Sequence, residues 1–325
     1  MALLETNYAG LKLNNPIIIG SSGLTNSGKK NKKLEEAGAG AVVLKSLFEE
    51  QINMQVDAMT QSSDYPEAAD YLRNYLKANQ VEGYLSLINE TKSLCSFPVI
   101  ASINCYNTGT WTDFAKKIEE AGADALELNI FYMCTDLTTK ANKILDLYSS
   151  IVEKTKKHIS IPVIVKIGKR FSNIPGMVNL IHIYGAKGVV LFNRYYRTDI
   201  DIHKMQIIPG EVFSSPSDLS ETIRWTALVS GIVPKISIAS SCGIHKWEDI
   251  VKCLLAGAGA VQICSTVYKN GIEIIPEMLK GIENWMNEKK YQSISEFQGK
   301  LSFSNAENPS MFERSQFMKY FSDKK

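Results

Sequence analysis

The sequence predicts an α/β protein folded as a (β/α)8 barrel, with extended loops at the carboxyl-terminal mouth of the barrel. Short apolar runs alternate with amphipathic helical segments along the 325 residues, which is the pattern of parallel βα units. Three helical segments end in near-identical phrases, at residues 36–41, 120–125 and 255–260, each with a Gly after the helix and small residues before the next strand. Similar sequence segments at the ends of successive helices are typical of repeated βα units.

Eight strands can be counted, at residues 16–19, 41–44, 99–103, 125–128, 163–167, 188–191, 236–239 and 260–263. Apolar spacing predicts the helices between them. The helix at 111–121, for example, places Phe114 and Ile118 on one side and ends before Gly122. The alternative is an open doubly wound sheet, which usually has fewer strands and a Gly-x-Gly-x-x-Gly turn after the first one. Here that turn reads Gly-Ser-Ser-Gly at residues 20–23, which favours the closed barrel.

Two segments do not fit the repeat. Residues 49–80 are long, polar and aromatic, and residues 195–216 contain two prolines. Both follow a strand, so we expect them at the carboxyl-terminal mouth as loops over a substrate. The barrel is predicted to span residues 1–301, and residues 302–325 form a C-terminal extension whose aromatic side chains would cover the barrel or a partner subunit.

The composition excludes several classes of function. Thirty-six Lys plus Arg balance 34 Asp plus Glu and are interspersed with them, which argues against a nucleic-acid partner. The six cysteines stand singly and the four histidines lack metal-ligand spacing, so we expect no metal. No signal peptide and no apolar stretch of about 18 residues is found. We therefore expect a cytoplasmic protein with a small-molecule substrate and no membrane contact.

Polar and small residues stand at or just after the predicted strand ends. In a barrel such side chains converge on one central space, where the chemistry takes place. They are Ser21, Ser22, Lys45, Ser46, Asn104, Asn129, Lys166, Asn193, Cys242, Gly243, Ser265 and Thr266.

These residue types predict the kind of ligand. Lys45 and Lys166 each end a buried strand, where an ammonium is costly unless it meets an anion or an electron-rich acceptor. One such lysine would be explained by an ion pair, but two favour an anionic or carbonyl-rich cofactor. The asparagines suit the edge of a heterocycle, and the small-residue loops after strands seven and eight suit a phosphate. Glu127 is the carboxylate at a strand end, and it either supports a neighbour by ion pairing or takes part in chemistry.

With these residues the sequence resembles the soluble dihydroorotate dehydrogenases, FMN enzymes with a (β/α)8 TIM barrel that oxidise dihydroorotate to orotate in pyrimidine biosynthesis. The resemblance covers about residues 5–301. Its most specific part is the closing segment at 290–301, Lys-Tyr-Gln-Ser-Ile-Ser-Glu-Phe-Gln-Gly-Lys-Leu. The segments at 41–46, 127–129 and 163–166 add to it.

The resemblance implies FMN as the cofactor. The residues that would surround its isoalloxazine and ribityl groups are Ser21, Ser22, Lys45, Ser46, Asn104, Asn129 and Lys166. The residues whose backbone would bind its phosphate are Cys242, Gly243, Ser265 and Thr266. Lys45 would stabilise the negative charge that develops on flavin reduction, which makes it a candidate catalytic residue.

The loop after Asn129 departs from the family. The soluble enzymes read Leu-Ser-Cys-Pro-Asn there, with the Cys as catalytic base, whereas residues 130–135 read Ile-Phe-Tyr-Met-Cys-Thr. Without a gap the base position is Tyr132. Cys134 has the family's residue type but lies two positions later. Both are candidate catalytic residues, and we favour Tyr132.

The predicted substrate contacts also differ. The family's loop Asn-Ser-Met-Gly-Leu-Pro-Asn is replaced by residues 63–69, Ser-Asp-Tyr-Pro-Glu-Ala-Ala, and the residue after Asn193 is Arg194 instead of Ser. We expect Asn193, Arg194 and Arg197 to bind the substrate, with one arginine pairing with a carboxylate.

Three hypotheses follow: oxidation of dihydroorotate, oxidation of a different substrate by an FMN barrel of the same descent, and flavin binding without turnover. We expect a homodimer, and the electron acceptor stays open.

Overall fold

A computed structural model describes residues 2–48, 66–105, 111–194 and 197–313, with the side chains of residues 66–78, 105 and 111–113 outside that description. Its strands are β1 (Thr6–Tyr8), β2 (Leu11–Leu13), β3 (Ile17–Ile19), β4 (Ala41–Val43), β5 (Leu47–Phe48), β6 (Val99–Cys105), β7 (Ala125–Ile130), β8 (Val163–Ile167), β9 (Gly188–Leu191), β10 (Thr198–Asp201), β11 (Gln206–Pro209), β12 (Ser237–Ser241) and β13 (Ala260–Ile263). Its helices are α1 (Gly28–Glu36), α2 (Pro66–Leu94), α3 (Trp111–Glu120), α4 (Ala141–His158), α5 (Ile174–Ile183), α6 (Leu219–Ile232), α7 (Trp247–Leu255), α8 (Ser265–Asn270) and α9 (Ile274–Lys289).

Parallel strands close into a barrel. They pair side by side in the order β4, β3, β13, β12, β9, β8, β7 and β6, and the pairing of β4 with β6 completes the ring. The two-residue strand β5 adds to β6 beyond that pairing. The predicted (β/α)8 barrel is therefore confirmed, and the closed ring brings the carboxyl ends of all its strands to one mouth.

The barrel interior is filled at its amino-terminal end. Large and small side chains share this layer, so that they interdigitate across a narrow space. They are Ile18, Val43, Ile100, Ala125, Ile164, Val190, Ala239 and Ala260. The antiparallel hairpin of β1 and β2 closes this end, with the buried side chains of Tyr8 and Leu13 packed into the same cluster. Among the described residues, the barrel interior is therefore closed at this end, and a ligand would enter from the opposite end.

The helices form the outer layer. The predicted apolar face of α3 is confirmed, because Phe114 and Ile118 are buried against the strands. Gly122 and Gly257 follow α3 and α7 with φ of 90° and 111°, so a residue that tolerates the left-handed region ends each helix where the sequence predicts it. In the described part of the chain, no helix is long and apolar enough to cross a membrane.

Of the two segments that break the repeat, the first needs correction. Residues 66–80 were predicted as part of a loop over the mouth, but they form the start of α2, the outer helix of the second βα unit. The rest of that segment, residues 49–65, lies outside the described residues. The segment at 195–216 contains the antiparallel hairpin of β10 and β11, which stands apart from the barrel sheet.

The first residues after position 301 contact the barrel. The Phe303 N–H donates to the Ala227 carbonyl of α6 at 2.9 Å, and Ser302 is buried. A short 3-10 turn follows at Pro309–Phe312. Residues 314–325, with most of the predicted aromatic side chains of the extension, lie outside the described residues.

Candidate functional site

A cavity of about 490 Å³ opens at the carboxyl-terminal mouth of the barrel, and we call it the first cavity. Its volume falls in the range of small-molecule sites, roughly 300–1,000 Å³. The predicted site residues that line it are Ser21, Ser22, Ser46, Asn129, Lys166, Asn193, Arg194, Cys242, Gly243, Ser265 and Thr266. Residues scattered from β3 to α8 are thus brought together, because each follows a strand of the closed ring.

Five predicted residues lie outside the walls of the first cavity. Lys45 is exposed, and its backbone N–H donates to the Thr25 carbonyl at 3.3 Å. Asn104 is only 8% exposed, and its Oδ1 has no hydrogen-bond partner among the described residues. The other three are Tyr132, Cys134 and Arg197.

Three serines form a hydrogen-bonded wall. Ser46 Oγ lies 2.9 Å from Ser21 Oγ and 2.8 Å from Ser102 Oγ, and the Ser46 N–H donates to Ser21 Oγ at 2.8 Å. Behind them, Tyr84 accepts from the Ser102 N–H at 2.6 Å and donates to its carbonyl at 3.0 Å. Burial raises the pKa of Tyr84, so the phenol keeps its proton and can donate. Ser21 and Ser46 of the wall are therefore bonded to each other and, through Ser102, to Tyr84.

A second polar group extends below the cavity floor. Lys166 Nζ donates to Gln262 Oε1 at 2.9 Å, and Gln262 Nε2 donates to Glu127 Oε2 at 2.6 Å. Above it, Asn193 Nδ2 donates to Asn129 Oδ1 at 2.7 Å, which joins two predicted residues from β7 and the loop after β9. Sequence reasoning missed Gln262. Its signal was a polar residue inside the apolar strand β13.

The loops after β12 and β13 carry backbone amides without acceptors. Among the described residues, the N–H groups of Gly243, Ser265 and Thr266 have no hydrogen-bond acceptor. Gly243 has φ of 80°, and an added Cβ would lie 2.2 Å from the Leu219 nitrogen at the start of α6, so no larger residue fits there. These free N–H groups around a tight turn suit an anion.

A loop folds back over those amides. The Ser214 N–H donates to Ser265 Oγ at 2.9 Å, Ser214 Oγ lies 3.2 Å from His245 Nε2, and Lys269 Nζ donates to the Ser214 carbonyl at 3.0 Å. Burial, followed by the charge of Lys269, lowers the pKa of His245, so this ring tends to stay neutral. The loop at residues 212–214 thereby forms one side of the first cavity.

Both predicted substrate arginines are held by Asp218, which sequence reasoning missed. Arg194 Nη1 and Arg197 Nη2 each lie 2.9 Å from a carboxylate oxygen of Asp218. Burial raises the pKa of Asp218, but the Ser215 N–H and the nearby positive charges outweigh that effect and hold the pKa below its usual value. Arg194 also donates to the Val212 carbonyl at 3.3 Å and to that of Glu211 at 3.1 Å. Its structural role is to tie the loop at residues 211–218 to the mouth.

Tyr132 and Cys134 line a second cavity of about 570 Å³. This cavity lies between the loop after β7, the loop after β8 and the helices α4 and α5, and its walls include Tyr148, Phe171 and Met177. Cys134 Sγ lies 3.5 Å from the Asp136 carbonyl within the same loop. In this structure the two candidate bases therefore contact a neighbouring space and do not form walls of the first cavity.

The comparisons with known proteins agree on one family. The family model described as dihydroorotate dehydrogenase matches residues 3–286. The catalytic subunit of dihydroorotate dehydrogenase B (NAD(+)) from Thermoplasma volcanium is 30% identical over 312 residues, 92% of this chain and 98% of that protein. The subunit of the same name from Pyrococcus abyssi is 30% identical, over 91% of this chain and 98% of that protein.

A third relative extends the agreement. The same catalytic subunit from Methanosarcina mazei is 28% identical over 310 residues, 91% of this chain and 94% of that protein. The matches cover the whole barrel and the loops that form the first cavity, and the family's members are flavin-dependent oxidoreductases that act on a CH–CH bond. The chain belongs to the dihydroorotate dehydrogenase family.

Proposed function

We propose that this chain binds FMN in the first cavity and oxidises dihydroorotate to orotate in pyrimidine biosynthesis. The observation that carries the proposal is the first cavity itself, which combines the Lys166 ammonium on its floor with free backbone amides at its rim. Bound FMN would supply the acceptor for the two electrons that leave the CH–CH bond.

The residues present fit FMN. Asn104 lies outside the walls of the first cavity but pairs in register with the wall residue Asn129. Its buried Oδ1 lacks a partner among the described residues, so a donor from the bound ligand would complete it. The amides of Gly243, Ser265 and Thr266 would bind the phosphate, together with the backbone of Cys242. The residues that would surround the rest of the cofactor are Ser21, Ser22, Lys45, Ser46, Asn104, Asn129 and Lys166. Lys45, exposed at the mouth, would balance the negative charge that develops on reduction.

Asn193 and Arg194 are proposed to hold the substrate. Arg194 uses three of its five N–H groups in the bonds to Asp218, Val212 and Glu211, which leaves two for a carboxylate. Arg197, predicted as an equal candidate, pairs with the same Asp218 but its side chain is 60% exposed and lies outside the first cavity. We therefore assign the carboxylate contact to Arg194.

Tyr132 is proposed as the base that accepts the substrate proton, with Cys134 as the alternative. Both lie on the loop after β7 that leads from Asn129, a wall of the first cavity. Catalytic hydrogen bonds are often long in the absence of substrate, so this loop would have to close over the bound substrate to bring either side chain to it.

A second candidate function is oxidation of a different cyclic anionic substrate by the same FMN barrel. The replacement of the family's base by Tyr132 and of the residue after Asn193 by Arg194 favours it, because both changes are bulky and alter pocket shape and hydrogen bonding. The flavin chemistry and the phosphate site would be the same.

FMN titration of the apoprotein, with riboflavin as the matched ligand that lacks the phosphate, tests the cofactor. We expect FMN to bind at one per chain and at least about a hundredfold more tightly than riboflavin, because even two of these hydrogen bonds to the charged phosphate would contribute about 3 kcal/mol. Failure to bind FMN would overturn the proposal, and equal affinities would overturn the phosphate site.

Anaerobic bleaching of the bound flavin tests the substrate. Dihydroorotate is expected to bleach it within seconds, whereas neutral dihydropyrimidines should not, because they lack the carboxylate that Arg194 would pair with. Bleaching by another cyclic anionic compound and not by dihydroorotate would decide for the second candidate function.

A further inference from the structure

Glu127 is completely buried beneath the floor of the first cavity. It lies on β7 two residues before Asn129, so both side chains point into the barrel, and its exposed fraction is 0%. Its Oε2 accepts from Gln262 Nε2 at 2.6 Å. Its Oε1 lies 3.9 Å from Lys166 Nζ and has no hydrogen-bond partner among the described residues.

The side-chain amide of Gln262 has only one orientation that satisfies both neighbours. An ammonium can only donate hydrogen bonds and a carboxylate can only accept them. The amide oxygen must therefore face Lys166, at 2.9 Å, and the amide nitrogen must face Glu127. A neutral side chain at position 127 would remove this constraint, because it can donate as well as accept.

The charges of Lys166 and Glu127 compensate each other. Lys166 is only 9% exposed, so its ammonium is costly without a nearby negative charge. Burial raises the pKa of Tyr8 and of Tyr84, and the charge of Glu127 raises both further, so these two phenols stay neutral. Burial also raises the pKa of the Cys264 thiol. Lys166 and Glu127 therefore form an ion pair among phenol and thiol groups that stay neutral.

We propose that Glu127 is a positioning residue for Lys166. Through Gln262 it holds the ammonium against the floor of the first cavity, and its own negative charge reduces the positive potential that this floor presents to a flavin. The effect of Glu127 on the potential at the flavin rests on the proposed function, because it requires FMN in the first cavity. Glu127 thereby makes reduction of the flavin less favourable than Lys166 alone would.

The reduction potential of the bound flavin tests this role. Replacement of Glu127 by Gln removes a negative charge under the cofactor and keeps the side-chain size, so reduced flavin should be stabilised. We expect E127Q to favour the reduced over the oxidised cofactor by a further factor of at least ten relative to the wild type, which raises the potential by about 30 mV for a two-electron couple.

Tyr8→Phe is the matched control for that measurement. It removes a fully buried polar group from the same interior, but among the described residues its hydroxyl bonds the Val189 carbonyl, at 3.4 Å, and none of Lys166, Gln262 and Glu127. The reduction potential of the flavin bound to Tyr8→Phe should equal that of the flavin bound to the wild type. Equal potentials in wild type and E127Q, or the same shift in both variants, would overturn the charge role, since a purely structural role moves stability and not potential.

The coupling of the two charges can be measured without flavin. Thermal unfolding of the apoprotein is compared for the wild type, E127Q, Lys166→Met and the double variant. E127Q should lower the unfolding midpoint because it leaves a buried ammonium uncompensated. The double variant should be more stable than E127Q, because it no longer contains the buried Lys166 ammonium that E127Q leaves without a negative partner.

The outcomes separate the two proposals. If E127Q does not fold but the double variant does, the coupling is supported. The positioning role is overturned if the decreases in unfolding midpoint of E127Q and Lys166→Met simply add in the double variant, or if the double variant also fails to fold. This holds even when the wild type binds FMN. Failure of the wild-type protein to bind FMN would overturn the proposed function alone, because the apoprotein result does not depend on the cofactor.

Discussion

Tyr132 and Cys134 differ in chemistry and stand two residues apart on the loop after β7. We expect Tyr132→Phe to slow flavin reduction by substrate by at least about a hundredfold, the lower range for loss of a general base. Cys134→Ala should change it by less than about tenfold, because the thiol lies 3.5 Å from the carbonyl of Asp136 in its own loop. Anaerobic stopped-flow reduction of the bound FMN measures both. The reverse order of losses would assign the proton to Cys134.

Arg194 and Arg197 pair with the same carboxylate but differ in position. Arg194 lines the first cavity and Arg197 does not. We expect Arg194→Gln to weaken substrate binding by about 1.5–3 kcal/mol, the range for hydrogen bonds to charged groups, and Arg197→Gln to leave it nearly unchanged. Substrate dissociation constants of the two variants, from flavin absorbance titrations, measure this. Equal losses would show that the shared partner Asp218 matters and not a direct contact.

At the scale of elements, the same glutamate contact recurs in two βα units: a carboxylate near the end of a helix accepts two backbone N–H groups of the loop before the next barrel strand but one. Glu35 at the end of α1 accepts from the Ser96 N–H at 2.6 Å and the Phe97 N–H at 2.9 Å, which joins α1 to the loop before β6. Glu119 at the end of α3 does the same with Ser160 and Ile161 before β8. In the sequence Glu35 and Glu119 directly precede the similar segments at residues 36–41 and 120–125, so this sequence similarity has a structural basis.

The Glu35 contact predicts that the unfolding free energy depends on pH in the acid range. Burial raises the pKa of Glu35, but the bonds from Lys32, Ser96 and Phe97 outweigh it and lower the pKa to about 2 from 4.5. A depressed folded-state pKa contributes stability above pH 4.5, and that contribution is lost as the pH falls through about 2. Glu35→Gln should therefore cost about 1.5–3 kcal/mol of unfolding free energy at pH 7 and progressively less below pH 4.5.

Denaturant unfolding at several pH values checks this expectation. Glu36→Gln is the matched control, because Glu36 is the exposed neighbour and makes none of those bonds. It should follow the wild type at every pH. A cost of Glu35→Gln that stays constant down to pH 2.5 would show that the charge of Glu35 is irrelevant.

At the scale of the whole molecule, the hairpin of β10 and β11 carries an exposed apolar face beyond the barrel. The cross-strand pair Ile200 and Ile207 is 62% and 78% exposed. A hairpin edge with such a face is a ready site for pairing with another chain, and a two-fold dimer places identical patches against each other. We propose that this face joins two copies of the chain.

Ile207→Asp is expected to weaken that dimer at least tenfold, because each copy would bury a carboxylate in the apolar contact. Sedimentation equilibrium over a concentration series measures the dissociation constant. Ile183→Asp is the matched control, since Ile183 is 68% exposed at the end of α5, toward the closed end of the barrel. The same weakening in both variants, or none in either, would place the contact elsewhere.

The sequence by itself determined the barrel and most of the residues around its mouth. Strands buried on both faces are continuous apolar runs, and Gly ends the helices between them, so eight βα units can be read directly. Once the strands are known, the residues after each strand must converge on one mouth. Ser21, Asn129 and Lys166 were identified as wall residues for that reason and line the first cavity.

Only the tertiary structure decided which polar side chains pair. Glu127 and Gln262 are 135 residues apart and meet because the ring closes. Asp218 lies 24 residues beyond Arg194, and the bond between them depends on how the loop after β11 folds back. Local sequence spacing predicts neither contact, because each joins two segments that are far apart along the chain. The positions of Tyr132 and Cys134 at the second cavity have the same cause, because a loop's direction is set by the helices it packs against.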